Sequence, residues 1–305
     1  MQSCAKVVNF RDCESLQSVI VDYFPKILDE SVLEEKDKKY LQESLRDFFV
    51  TKEIFLQKDF EIPPTLLAVF VYEKIAEIVK NVNPYKTLKE KSIQQAREIK
   101  ELFLKEIPQT GDLQKLKFAI CCAVLGNVMD YGAQKSFDIK EDLQKIHNFS
   151  FAFFEIESFL EKLKASKSLL YIGDNAGENE LDEILIQVCK EINPSLKITY
   201  FTRGVNIIND ITMQDLKESD SKLFSLCEVQ DSGVLSPGFI ESLASNEAKE
   251  MYANADLILA KGMGNFESME AKKDSRVYFL FKIKCEVVAD FLGKNLGDFV
   301  FKNNI

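Results

Sequence analysis

The sequence predicts an α/β fold: a mainly parallel sheet with covering helices, preceded by an α-helical N-terminal region. Three observations carry this. From about residue 165 short apolar runs recur: "SLLYIG", "KITYFT", "LFSLCEV", "ADLILAKG" and "RVYFLFKIK". Helical stretches such as 179–191 and 238–253 separate them. Earlier in the chain, apolar residues return every three or four positions and no strand alternation is visible. Strands alternating with amphipathic helices are what a parallel sheet with crossover connections requires, so the second part reads as Rossmann-like. The expected division is 1–150, mainly α-helical and contributing to the pocket, and 151–305, the α/β domain carrying the site.

Each element has its own signal. "CESLQSVIVDYFPKILDE" and "DKKYLQESLRDFFVTKEIFL" place apolar residues on one helical face. "PPTLLAVFVYEKIAEIV" starts with prolines, which suit a first helical turn. "NPYKTLKEKSIQQAREIKELFLKEI" follows an Asn-Pro turn, and "GDLQKLKFAICCAVLGNVMDYGA" runs into polar residues and Gly132. The five apolar runs are the expected strands.

Composition removes several function classes. The chain has 305 residues, 46% of them hydrophobic, enough for a large core. A net charge of −10 argues against a nucleic-acid backbone as partner. Arg11, Asp12 and Glu14 interrupt any leader-like apolar stretch near the start. No run of eighteen apolar residues is present, so no membrane span is expected. The seven cysteines are scattered without a Cys-x-x-Cys, which reads as free thiols in a cytoplasmic protein. The single histidine, His147, rules out histidine-based triads and multi-histidine metal sites within the chain, and is read as structural.

Polar residues then cluster where strands hand over to helices. In "YIGDNAGEN", Asp174 and Asn175 follow an apolar run and precede a helix. They supply hard oxygens suited to Mg²⁺ or Mn²⁺, and the helix start favours a phosphate. An Asx-turn with an N-cap explains the same residues equally well. In "FTRGVNIINDITMQDL", Asp210 reads first as an N-cap and Arg203 as a salt-bridge partner or anion contact. In "ILAKGMGNFESME", Lys261 suits a phosphate oxygen, and Gly262 and Gly264 permit close backbone approach. In "LGNVMDYGA", Asn127 and Asp130 share a helix face, either capping it or facing a polar cavity. Several of these stretches fall at strand carboxyl ends, and capping alone has no preference for that edge.

"GDNAGENELDEILI", "RGVNIINDITMQD", "AKGMGNFES", "GNVMDYG" and "NPYKTLK" together resemble the metal-dependent damage-control phosphatases, long catalogued as domain of unknown function eighty-nine. The resemblance runs from about residue 83 to Cys285. It implies a divalent metal, Mn, Co, Ni or Mg, held by Asp174, Asn175 and Asp210. It further implies that Lys261 contacts phosphate, that Asn127 and Asp130 line the pocket, and that Glu178 and Arg203 are additional site positions. Two departures stand out. The N-terminal Cys-x-x-Cys of one prokaryotic subgroup is replaced by Cys4 and Cys13 at another spacing, and Asn-Asp-Ile-Thr stands where Asn-Asp-Ala-Thr is expected.

The expected activity is therefore hydrolysis of small phosphorylated metabolites, with Asp174 as ligand and as candidate nucleophile or base. Ala176 breaks the Asp-x-Asp of the haloacid dehalogenases, which favours direct attack by water. The alternatives are an S-adenosylmethionine-dependent carboxyl methyltransferase, with "GDNAGEN" as its loop, and a non-catalytic metal- or metabolite-binding module. Oligomeric state has no signature in the sequence.

Overall fold

A computed structural model describes residues 38–44, 47, 64–126 and 150–305. Residues 38–44 are helical. They are followed by α1 (Pro64–Val79), α2 (Lys86–Phe103) and α3 (Asp112–Leu125). The chain then builds β1 (Phe151–Phe154), α4 (Ile156–Ala165), β2 (Ser168–Ile172), α5 (Glu178–Ile192), β3 (Lys197–Thr202), α6 (Met213–Glu218), α7 (Leu223–Leu226) and β4 (Glu228–Asp231). It finishes with α8 (Asn246–Asn254), β5 (Leu257–Lys261), α9 (Met263–Met269), β6 (Val277–Lys282), α10 (Glu286–Leu292) and β7 (Phe299–Asn303).

The seven strands form one sheet in the order β1-β7-β6-β5-β2-β3-β4. Pairing is parallel except between β6 and β7. Successive side chains on a strand point to opposite faces. Leu169, Tyr171, Ile198, Tyr200, Leu257 and Leu259 thus join one apolar cluster, which α2, α3 and α5 cover. Leu170, Ile172, Phe201, Ile258 and Ala260 join another, which includes residues of α8 and α9. Burial on both faces explains why these strands read as continuous apolar runs rather than alternating ones. Ile93, Ala96, Ile99 and Phe103 of α2 lie in the same cluster as the sheet, so the described helical region and the sheet share a core.

The outcome differs from the sequence reading at the edges. "LFSLCEV" was expected as a strand, yet Leu223–Leu226 is a short helix and pairing begins at Glu228. Leu223 alone of that helix is buried and Phe224 is exposed, a one-sided burial that suits a helical turn. β1 and β7 were not expected. β1 has four half-buried residues at the sheet edge, too short for a periodic signal.

Candidate functional site

The strand order creates a topological switch. The chain runs from β2 to β3 to β4 in one direction, then β5 returns to the other side of β2 and leads on to β6. Connections leaving β2 and β5 diverge, so a crevice opens at their carboxyl ends, where open α/β sheets bind ligands. Asp174 and Asn175 follow β2, Asp210 lies in the segment after β3, and Lys261 ends β5.

Backbone pairing brings Asp174, Asn175 and Asp210 together. Ala176 N donates to Asn209 O at 2.8 Å, and Ile211 N donates to Asp174 O at 2.9 Å, forming an antiparallel bridge between Asn175 and Asp210. Neither segment caps a helix with these side chains. Gly177 is the N-cap of α5 and no side chain caps it. Thr212 caps α6 in a reciprocal capping box with Asp215, which corrects the reading of Asp210 as the cap. All three side chains are therefore released from the structural role that competed with function.

Charge is concentrated there. Asp174, Glu178, Asp182 and Asp210 are buried carboxyls, accompanied by buried Arg203 and Lys261. Arg203 Nε donates to Asp210 Oδ2 at 2.8 Å, its Nη2 donates to Pro237 O at 2.8 Å, and Nη2 stands 3.7 Å from Asp174 Oδ1. Asn175 Nδ2 donates to Asp174 Oδ2 at 2.9 Å and to Glu178 Oε1 at 2.8 Å. Burial pushes the Asp174 carboxyl well above the ordinary range, and the nearby Glu178 and Asp210 add to the shift. Asp210 is pushed up to about 6 by burial, against the pull of Arg203. Lys89, from the "NPYKTLK" stretch, is buried alongside and donates to Asn206 Oδ1 at 3.0 Å and Asp215 Oδ2 at 2.7 Å.

Lys261 occupies a different place from the one expected. Its ammonium is fully buried and donates to Ala123 O and Glu178 Oε2, both at 2.9 Å, and to Asp182 Oδ1 at 2.8 Å. An ammonium has three hydrogens, and these three acceptors use them. Burial pulls the Lys261 pKa down, and the charges of Asp182 and Glu178 more than offset this. The first-turn amides of α5 are likewise engaged: Gly177 N with Asn179 Oδ1, Glu178 N with Asn175 O, and Glu180 N with Gly177 O. Among the described residues, Lys284, at the tail of the expected strand "RVYFLFKIK", is an exposed cation beside this edge. Its backbone N donates to Met263 Sδ beside the start of α9, and its charge partly offsets the burial that pushes up the carboxyls of Asp174 and Glu267. Asn127 and Asp130, the expected pocket residues, lie outside the described residues, as does His147.

The donor set fits a hard divalent cation. Two buried carboxyls and an amide side chain, residue types that suit such an ion, lie at one sheet edge. Among the described residues no group of three His, Cys, Asp or Glu side chains is arranged as a metal site. Gly262 packs against Asp174. Its φ is 81°, and a Cβ there would lie 2.0 Å from Asp174 Oδ2. Gly262→Ala is therefore expected to displace Asp174 and to destabilise the protein by more than about 1 kcal/mol. An unchanged melting temperature would contradict the packing.

Comparisons with known proteins show the family and the fold. A damage-control phosphatase of Pyrococcus horikoshii is 31% identical over 242 residues, covering 79% of this chain and 82% of the relative. A damage-control phosphatase of Archaeoglobus fulgidus is 31% identical over 244 residues, covering 77% of this chain and 81% of the relative. The crystal structure of a domain-of-unknown-function-89 protein from Pyrococcus horikoshii superposes with a TM-score of 0.83 at 25% identity, covering 96% of this chain and 99% of that one. The model of the damage-control phosphatase ARMT1-like domain matches residues 16–300, and the chain belongs to that family.

Proposed function

We propose that this protein is a divalent-metal-dependent phosphatase of small phosphorylated metabolites, with Asp174, Asn175 and Asp210 as the metal ligands. One observation carries the reading: two buried carboxyls at the switch point, Asp174 and Asp210, both flank the Arg203 guanidinium, at 3.7 and 2.8 Å, free of any capping duty. When bound, a divalent cation supplies charge neutralisation for a phosphoryl group and acidifies water. The protein does the rest. Arg203 holds Asp210 through one oxygen and leaves the other for ligation. Lys284 presents the exposed charge that orients the substrate phosphate at the rim. The metal is a hard or borderline ion, Mn²⁺, Co²⁺, Ni²⁺ or Mg²⁺.

The family and the relatives named damage-control phosphatases favour this reading over the methyltransferase alternative. Among the described residues no helix is long and apolar enough to cross a membrane.

Two results are expected. Lys284→Met should raise KM for a phosphate ester about 10- to 100-fold, the scale of losing one charged contact, while Mn²⁺ affinity measured without substrate is not weakened. Unchanged KM would remove Lys284 from the phosphate site. The second concerns pH. Asp210 has an ordinary value of 3.8 and is pushed up to about 6 in the fold. A raised folded-state pKa means that the folded form holds its proton more tightly. Stability present below the ordinary value is therefore lost as pH rises from about 4 to about 6. Ligation of the ionised carboxylates reverses that loss. Added Mn²⁺ should accordingly raise Tm more at pH 7 than at pH 5, and an equal or larger rise at pH 5 would contradict the ligand assignment. The direct test of function is release of phosphate from a panel of phosphorylated metabolites, with and without a chelator. Full activity after chelation excludes the metal-dependent reading, and no activity on any ester with any cation excludes the phosphatase reading.

A further inference from the structure

A carboxamide can ligate a cation only through its oxygen, so something must decide which end of Asn175 faces the crevice. The structure holds a chain of buried groups that makes this choice. Asn175 Nδ2 faces Asp174 Oδ2 at 2.9 Å and Glu178 Oε1 at 2.8 Å. Both partners are carboxyls, and the far oxygen of Glu178 accepts from Lys261 Nζ at 2.9 Å. Lys261 is fixed in turn by Ala123 O and by Asp182, four residues beyond Glu178 on α5. Asp182 accepts from the Tyr171 hydroxyl, and from the Tyr200 hydroxyl at 3.0 Å. The two rings stack at 5.2 Å between centroids, on neighbouring strands β2 and β3. Glu178, Asp182, Lys261 and both tyrosines are each 1% exposed or less.

We propose that Glu178, locked by Lys261, is a positioning residue that turns the Asn175 carboxamide so that its oxygen, not its nitrogen, faces the cation. The inference rests on the metal-site reading above. Lys261 carries only donors, so the oxygen of Glu178 that it meets must accept. The other oxygen of the same carboxylate also accepts, and it is met by the nitrogen of Asn175. With the nitrogen held by the two carboxyls, Oδ1 is the end of the amide left for the cation. Asn175 is the least buried of the three proposed ligands, which places that oxygen on the crevice side. Asp182 and the tyrosine hydroxyls hold Lys261 in place from behind.

The geometry makes a crossed prediction. Glu178→Gln keeps the shape but has one accepting and one donating end. Lys261 claims the accepting end, so the donating end meets the Asn175 nitrogen, donor against donor, and the amide either keeps Asp174 as its one anchor or flips to present nitrogen to the cation. Mn²⁺ affinity, read by electron paramagnetic resonance of free Mn²⁺ without substrate, should fall about 10- to 100-fold, as when the partners that orient a ligand are lost. Adding Asn175→Asp restores an oxygen on both sides, so the double variant should recover most of the affinity, a non-additivity that a merely structural role of Glu178 does not produce. Asp174→Asn is the control for the site itself. If Asp174→Asn loses Mn²⁺ while Glu178→Gln binds it as the wild type does, the orientation proposal is overturned and the metal site stands. If Asp174→Asn binds Mn²⁺ unchanged, the metal site falls and the proposal with it. Should Glu178→Gln alone not fold, the double variant, which keeps the total charge, decides: near-wild-type affinity supports the proposal, and a loss as deep as that of Asp174→Asn overturns it.

Discussion

Asp174→Asn is expected to reduce kcat/KM on the order of a thousandfold or more, equivalent to several kcal/mol of transition-state stabilisation. Asp174 sits at the switch point between β2 and β5, pressed against Gly262, with Arg203 and Asn175 directing cationic or donor atoms toward its oxygens. The Asn substitute keeps the shape, but its amide nitrogen meets a donor in either orientation, Asn175 Nδ2 on one side or Arg203 on the other. The charge that would draw a cation into the crevice is gone as well. The loss should appear in Mn²⁺ binding and in turnover, with the fold intact by circular dichroism. An Asp174→Asn enzyme within tenfold of wild-type kcat/KM would remove this residue from the chemistry.

Lys261→Met should destabilise the protein by roughly 3–5 kcal/mol, the scale of breaking a buried ion pair by removing one partner. Methionine preserves much of the stem but leaves Glu178 and Asp182, both buried, facing each other without a cation. Activity falls with the fold and with the orientation of Asn175. A direct phosphate contact predicts a different pattern, with unchanged stability and reduced kcat/KM alone. Urea unfolding of the variant separates the two. A midpoint equal to that of the wild type would return Lys261 to the substrate phosphate.

What the sequence disclosed follows from where each signal resides. β2, β3, β5 and β6 were legible because burial on both faces makes their apolar runs continuous. β1 and β7 were not, since one is a four-residue edge strand and the other pairs antiparallel to β6 beyond the last expected run. Asp174, Asn175 and Asp210 were visible as polar residues at strand ends. The capping alternative for Asp210 was open until Thr212, two residues on, proved to be the cap. The role of Lys261 was hidden because its partners come from α5 and α3, distant in sequence and adjacent only across the sheet edge. Tyr171 and Tyr200 read as strand apolar residues and Asp182 as part of a helix, so nothing in the sequence set them apart as a network.

In the proposed site Asp174, Asn175 and Asp210 hold one divalent cation at the carboxyl edge of the sheet. Anomalous diffraction from crystals soaked in Mn²⁺ should show a single strong peak within about 2.0–2.4 Å of one oxygen from each of these three side chains, with Asn175 contributing Oδ1. A peak bonded to other residues, with these three side chains more than about 4 Å from it, would contradict the account.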